Sequence, residues 1–461
     1  MSDESIFDKD VSRREAMKTA AKGAAYAAPV VLAATVPGIV SAATPAPASA
    51  TDAATKAAAA TKAAKIKAIF TVARTAEQLA VTFYTNGVKN AAQLGLNATQ
   101  LGQIQAALVE EQLHQILFTA QGGDSLADTF SFPQGAKTFT DLQTFIATQQ
   151  MLEGVFDSAF LAAVREFSEI GESRLAQIAS QIACIESEHR ALGRSIGGLE
   201  PADNWTYAPV LVSFVADAPQ AVTAAGFLSP VPGNTFKYVQ VDTSTPGIDF
   251  KDGPFSKRSG SGGTPGTAKS IFTVARTAEQ LAVTFYSNGL ANAQALGLNA
   301  TEFGQIEAAL VEEQLHQQLF TAQGGDSLAD TFSFPDGAKT FTDRATFIKT
   351  QQILEGVFDS AFLAAVREFS ETGQHRVAQI AAQIACIESE HRALGRQIGG
   401  LEPADNWTYA PVLVSFVADA PQAVKDAGFL SPVPGNTFKY VQQDTTAPGI
   451  NFKDGPFSKR P

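Results

Sequence analysis

The chain has 461 residues, of which 45% are hydrophobic and 17% charged, enough for two domain-sized hydrophobic cores. Its net charge of −12 and its pI near 5.0 argue against nucleic acid or an anionic membrane surface as a partner. There are only two cysteines, Cys184 and Cys386, which excludes a disulfide framework and a metal cage built from thiolates.

The first 42 residues are predicted to be an export signal. Arg13 and Arg14 precede a weakly apolar run from Ala24 to Val40, and small residues suited to cleavage follow at Ser41-Ala42. This arrangement resembles a twin-arginine translocation signal, which implies export of the folded protein to the periplasm or the cell exterior. The alternative is an N-terminal membrane anchor, but Pro29 and the many alanines make the run a poor permanent span. We therefore expect no stable membrane span once the signal is removed.

The rest of the chain is a tandem duplication. The segment from Phe70 to Arg258 recurs without a gap from Phe272 to Arg460, and most positions are identical. A stretch rich in Gly and Ser separates the copies and is typical of a flexible linker. Whether the two copies also pack against each other is left open by the sequence. The predicted organisation is a signal at 1–42, an Ala/Pro-rich spacer at 43–65, a first domain with its tail at 66–258, a linker at 259–269 and a second domain with its tail at 270–461.

Each copy carries the pattern of four amphipathic helices followed by an irregular tail. Short links join the first helix to the second and the third to the fourth, so each of these pairs is expected to be antiparallel. A longer connection joins the two hairpins and can run the length of a bundle. The tail is predicted to hold a short helix and an edge strand, and it could cap the bundle, mediate self-association or bury the hinge between the copies. In the first copy the four helices are predicted at about 63–85, 97–121, 141–167 and 173–196, the short helix at 217–227 and the strand at 236–241.

A Glu-x-x-His motif occurs twice in each copy, on the second and fourth predicted helices, and it puts a carboxylate and an imidazole on one helix face. The helix before each motif carries a further glutamate near its middle. Two such hairpins related by a pseudo-two-fold axis bring four glutamates and two histidines to one level of the bundle core. Burying four carboxylates without cations would cost many kcal/mol, so two bound metal ions are the natural compensation. Oxygen-rich ligation with one imidazole per ion suits iron or manganese and also accepts zinc.

This ligand pattern resembles that of the ferritin-like di-metal carboxylate superfamily, and the exported, Phe-rich sequence is similar to its desiccation-related branch. The resemblance implies an all-α fold of two tandem ferritin-like four-helix bundles, each followed by an irregular C-terminal extension, with two iron or manganese ions in each domain. The competing interpretation is a bundle whose site has decayed into a cluster of protonated carboxylates. Carried over residue by residue, the metal ligands are Glu77, Glu111, His114, Glu153, Glu186 and His189 in the first copy and Glu279, Glu313, His316, Glu355, Glu388 and His391 in the second.

Three kinds of residue near this set have two interpretations each. Asp157, with Asp359 in the second copy, either orients a ligand histidine or is a partly solvated helix acid. Tyr84, with Tyr286 in the second copy, is either a one-electron donor to the site or a core aromatic. Cys184 is expected to be a buried packing residue rather than a redox thiol.

Three functions are compatible with this sequence. The first is a dinuclear centre that reacts with peroxide or dioxygen, or oxidises Fe(II), as a catalase- or ferroxidase-like stress defence. The second is a non-enzymatic, stress-protective module whose metals mainly stabilise the fold. The third, iron storage in a cage, fits less well because duplicated domains with long tails do not suit a closed symmetric shell. The partners we expect are metal ions and a small oxidant, with self-association through the tails.

Overall fold

The computed structural model of the protein describes residues 50–243 and 265–445, which form two similar helical bundles. The predicted signal at 1–42 lies outside the described residues, as does the linker from 259 to 264. Over the described part of the chain, no helix combines the length and the apolarity needed to cross a membrane. The helices of the first copy are α1 (Ala50–Lys89), α2 (Ala91–Leu94), α3 (Ala98–Ala120), α4 (Leu142–Glu169), α5 (Ser173–Ile196) and α6 (Ala218–Ala224), with 3-10 turns at Gly135–Phe139 and Val215–Asp217.

Helix α1 is longer at both ends than the sequence predicted. It begins at Ala50 rather than near residue 63, so much of the segment interpreted as a spacer is helical, because alanine is the strongest helix former. It continues past Asn86-Gly87, which were expected to end it, as far as Lys89. Gly87 is needed there for close packing, since a Cβ at this position would come within 2.7 Å of the Phe145 ring.

Capping residues mark where α3 and α4 begin, close to the predicted starts at about 97 and 141. The side chain of Asn97 accepts a hydrogen bond from the backbone N–H of Gln100 at 2.9 Å, and the Gln100 side chain accepts one from the backbone N–H of Asn97 at 3.0 Å. Asp141 likewise accepts from the N–H of Thr144 at 2.8 Å. These caps satisfy backbone N–H groups in the first turn of each helix.

The tail folds back onto the long connection between the two hairpins. The predicted edge strand is confirmed over two residues only: β2 (Phe236–Lys237) pairs antiparallel with β1 (Thr129–Phe130) in the connection. Asn234 strengthens this attachment, because its side chain donates to the carbonyl of Phe132 at 2.8 Å and accepts from its N–H at 3.0 Å. The tail therefore covers one end of its own bundle.

The second copy repeats this fold. Its first helix begins at Ala268, inside the range predicted to be linker. Thr267 caps that helix by accepting from the N–H of Ser270. The remaining elements are α7 (Ala268–Ala291), α8 (Ala293–Leu296), α9 (Ala300–Ala322), α10 (Arg344–Glu371), α11 (His375–Ile398), α12 (Ala420–Asp426), β3 (Thr331–Phe332) and β4 (Phe438–Lys439), with 3-10 turns at Gly337–Phe341 and Val417–Asp419.

The two copies pack against each other, which the sequence had left open. Helix α5 of the first copy lies against α11 of the second, and one apolar cluster includes buried residues of both copies. At the centre of this contact the buried guanidinium of Arg190 donates to both carboxylate oxygens of Glu390, at 2.6 and 2.8 Å. Arg392 and Glu188 form the equivalent pair. The tandem chain is thus a covalently joined pseudo-dimer.

Candidate metal centre

The six side chains predicted as ligands in each copy converge at mid-bundle, on the four long helices. In each copy they form two overlapping groups, and the candidate ligand atoms of a group lie within 4.8 Å of one another. Two glutamates, one from each Glu-x-x-His motif, belong to both groups, as expected of carboxylates that bridge two ions. The groups are Glu77, Glu111, His114 and Glu186, and Glu111, Glu153, Glu186 and His189, in the first copy, and Glu279, Glu313, His316 and Glu388, and Glu313, Glu355, Glu388 and His391, in the second.

The ligand side chains are buried and their polar atoms lack partners. In the first copy each of the six is at most 2% exposed. Both carboxylate oxygens of Glu77, Glu111 and Glu186 accept no hydrogen bond from the described residues, and the Nδ1 atoms of His114 and His189 make none either. Unpaired buried carboxylates are strongly unfavourable, so this arrangement calls for cations. The residues present therefore fit a pair of metal ions, with hard oxygen donors and one imidazole for each ion.

Without metal ions, burial and the charges of neighbouring side chains decide which of the candidate ligands keep their protons. Burial, with repulsion from Glu111 next, raises the pKa of Glu77 well above its ordinary value. Burial works against ionisation of Glu111 as well, but the neighbouring Glu77 and the two histidines outweigh it and lower its pKa. Burial disfavours charge on His316, yet the carboxylates of Glu313 and Glu388 raise its pKa to about 9. Without metal ions, the protons kept by these raised pKa values would offset part of the buried negative charge.

The metal-free protein is expected to lose stability as the pH rises from about 6.5 to about 9. The folded-state pKa of His316 lies at about 9, above its ordinary 6.5, so its stabilising proton is fully present below 6.5 and lost as the pH passes 9. The raised pKa of Glu279 acts in the same direction, because ionisation of a buried carboxyl destabilises the fold. Thermal unfolding of chelator-treated protein at both pH values tests this. Addition of Mn²⁺ should abolish the fall, and a melting temperature of the metal-free protein that does not fall with pH would contradict the prediction.

The outer nitrogen of each histidine is held by residues that the sequence did not single out. The Nε2 atom of His189 lies 2.9 Å from Glu110 and 3.2 Å from Asp405, which belongs to the second copy. The Nε2 atom of His114 lies 2.6 Å from the carbonyl oxygen of Thr408, also of the second copy. In both histidines Nδ1 therefore faces the carboxylate cluster. Partners of this kind fix the tautomer and ring orientation of metal-ligating histidines.

Tyr84 lies directly beside the candidate ligands. Its hydroxyl donates to Glu153 and accepts a hydrogen bond from the Gln149 side chain at 3.1 Å. Its ring centre is 5.9 Å from that of His189. Burial and the nearby carboxylate raise the pKa of Tyr84, so the phenol keeps its proton. Tyr286 makes the same contacts with Glu355 and Gln351 in the second copy.

Asp157 and Asp359 lie between the copies. The thiol of Cys386 donates to Asp157 at 3.6 Å, and that of Cys184 donates to Asp359 at the same distance. The contacts that orient the histidines are made instead by Glu110, Asp405 and their counterparts. Both cysteines are buried, as expected, and burial raises the pKa of Cys184 well above its ordinary value, which keeps the thiol protonated.

The fold and the site together define a class of protein: a tandem helical bundle with a buried cluster of carboxylates and histidines in each half, compatible with metal binding. The ferritin-like domain family matches residues 66–198 and 267–400, together more than half of the chain. The chain belongs to this family, and its two matches correspond to the two copies. Neither the curated proteins nor the solved structures contain a significant match.

Proposed function

We propose that the chain is an exported ferritin-like protein that holds a dinuclear iron or manganese centre in each bundle and uses it for redox chemistry with peroxide, dioxygen or Fe(II) in stress defence. The observation that carries this proposal is the convergence of four buried glutamates and two buried histidines, most of whose inward atoms have no hydrogen-bond partner among the described residues. Export through the twin-arginine route is supported by the Arg13-Arg14 motif.

Each side chain of the centre has a distinct part in this proposal. His114 and His189 would each bind one ion through Nδ1, the nitrogen that faces the cluster. Glu111 and Glu186 would bridge the two ions, because each belongs to both groups of ligand atoms. Glu77 would complete one ligand shell, and Glu153 would complete the other. An iron or manganese pair would supply redox-active Lewis-acid centres for a small oxidant.

The residues around the ligands control orientation and protons. Gln149 donates to the main-chain carbonyl of His189 at 2.6 Å and to the hydroxyl of Tyr84, so it joins two elements of the site. Tyr84 donates its phenol proton in a hydrogen bond to the candidate ligand Glu153, so it would hold a proton beside the metal positions. Gly193 allows this arrangement, because a Cβ there would lie 1.9 Å from the Gln149 side-chain oxygen.

The test begins with protein purified from its own host. Elemental analysis should find iron or manganese at about two ions per copy. Oxygen evolution from peroxide would support a catalase-like activity, and rapid Fe(II) oxidation without stored mineral would support an oxidase. The control is the double variant Glu186→Ala/Glu388→Ala, which lacks one bridging candidate in each centre and should lose both the metal and the activity. Protein without transition metal, or an activity that survives in this variant, would contradict the proposal.

A second function, a non-enzymatic protective module, is favoured by one observation. Each site draws contacts from both copies, so bound metal would stabilise the whole pseudo-dimer. In that case the metal would be inert toward peroxide and Fe(II), while its removal by a chelator would strongly lower the melting temperature. The two functions are therefore separated by measuring activity and thermal stability on the same sample.

A further inference from the structure

The part of each tail that crosses to the other copy is a short segment after the last bundle helix, residues 203–208 in the first copy and 405–410 in the second. We call these segments the crossing loops. The first is held in place by Ala208, whose N–H donates to the carbonyl of Gln383 at 3.2 Å and whose carbonyl accepts from the Gln383 side chain at 2.7 Å. Ala410 and Gln181 repeat both contacts. The crossing loops are thus anchored to the opposite bundle through their main chain.

A second anchor holds the loop to its own copy. The guanidinium of Arg190 lies 3.5 Å from the centre of the Trp205 ring and donates to the side chain of Asn204 at 2.7 Å. The same guanidinium pairs with Glu390 of the opposite copy. The loop is therefore fixed between two bundles by a charged group that is itself buried, which limits its freedom to move.

Each crossing loop contacts both ligand histidines of the opposite centre. Asp405 reaches Nε2 of His189, and the carbonyl of Thr408 reaches Nε2 of His114. In the other direction, Asp203 lies 3.3 Å from Nε2 of His391, and the carbonyl of Thr206 lies 2.6 Å from Nε2 of His316. A carbonyl oxygen can only accept, so Nε2 of His114 and of His316 carries a proton, and in the neutral imidazole that binds a metal Nδ1 keeps its lone pair toward the cluster.

The aspartates also lie against acidic neighbours, since Asp405 interacts with Glu188 and Glu110, and Asp203 interacts with Glu390. Both carboxylate oxygens of Asp203 and of Asp405 lack a well-formed hydrogen bond, although each side chain is fully buried. A buried carboxylate in that condition is unfavourable unless it faces a positive or donating group. Each aspartate contacts the imidazole Nε2 of the opposite centre, which also contacts Glu110 in the first centre and Glu312 in the second.

We propose that each metal centre is completed by the opposite copy: Asp405 is a positioning residue for the first centre and Asp203 for the second, and neither bundle orients its ligand histidines alone. This inference rests on the proposed metal binding. It gives the duplication a physical role, because joining the copies keeps each crossing loop at the centre that it serves. It also couples the two centres, since one interface orients the ligands of both.

The experiment uses a full-length chain in which only the first centre can bind metal. Glu388→Ala removes a bridging candidate of the second centre, and Co²⁺, whose visible spectrum reports its ligand geometry, is the probe. In this background Asp405→Ala is expected to weaken Co²⁺ binding by about 10- to 100-fold and to change the spectrum. Asp203→Ala is the matched control. It removes the equivalent side chain from the same interface but serves the disabled centre, so binding should be unchanged.

The outcomes separate this inference from the function on which it rests. A Glu388→Ala chain that binds no Co²⁺ would contradict the metal centre itself. If the Glu388→Ala chain binds Co²⁺ but Asp405→Ala and Asp203→Ala change that binding equally, the positioning role would be overturned. A purely structural effect of the interface would not distinguish the two variants. Tight binding of more than two Co²⁺ ions in this background would also overturn it, because the extra ion would indicate that Asp405 is a metal ligand. If the alanine variants unfold, Asp405→Asn and Asp203→Asn keep the side-chain volume and should show the same contrast.

Discussion

Glu186→Ala is expected to halve the metal content of the chain, from about four ions to about two. Glu186 belongs to both ligand groups of the first copy, so its loss removes a donor from each of the two ions. The second centre has its own complete set and should remain loaded. Elemental analysis of the purified variant, normalised to protein concentration, measures the effect.

The matched control for this prediction is Glu77→Ala. Glu77 belongs to only one of the two groups, so its loss should release about one ion and leave about three. Both side chains are buried on the same bundle, and both substitutions remove one carboxyl group. If the two variants lost the same amount of metal, the assignment of Glu186 as a bridging ligand would be wrong.

Arg190→Ala is expected to lower the free energy of unfolding by about 3–5 kcal/mol. The substitution leaves Glu390 buried without the guanidinium that now contacts both of its carboxylate oxygens. It also removes the stacking on Trp205 that holds the crossing loop. Urea denaturation followed by circular dichroism measures the loss, and Arg392→Ala should behave in the same way because it breaks the equivalent pair.

The control here is an ion pair on the surface. Lys67 lies 2.9 Å from Asp124, but both side chains are more than half exposed. Exposed pairs contribute little because solvent and salt screen them, so Lys67→Ala should leave the unfolding transition unchanged. An Arg190→Ala variant as stable as Lys67→Ala would mean that the contact between the copies does not depend on the buried pair.

The sequence predicted the bundle and the ligand candidates because both depend on local spacing. Glu186 and His189 share a helix face whatever the rest of the chain does, and Asn97 and Asp141 cap their helices through neighbours three residues away. The first helix was predicted too short because Asn86-Gly87 normally ends a helix. Here close packing against Phe145 accounts for the glycine.

What the sequence could not give was the contact between the copies. Asp405 lies in a loop without periodicity, and its partner His189 is in the other copy, so no spacing rule connects them. Thr408 acts through its carbonyl oxygen, which every residue has. Glu110 did carry a signal, because it adjoins Glu111 in a stretch that is otherwise largely apolar. A second buried acid beside a ligand candidate is a reason to expect a partner for the histidine.

Anomalous X-ray diffraction from crystals of the natively purified protein is the most direct measurement of the central claim. Data collected on either side of the iron and manganese absorption edges should show two strong peaks in each bundle, bounded by the carboxylates of Glu111 and Glu186 in the first copy and of Glu313 and Glu388 in the second. The absence of anomalous peaks beside these four carboxylates, in protein purified without any chelator, would contradict the claim that each bundle holds a pair of metal ions.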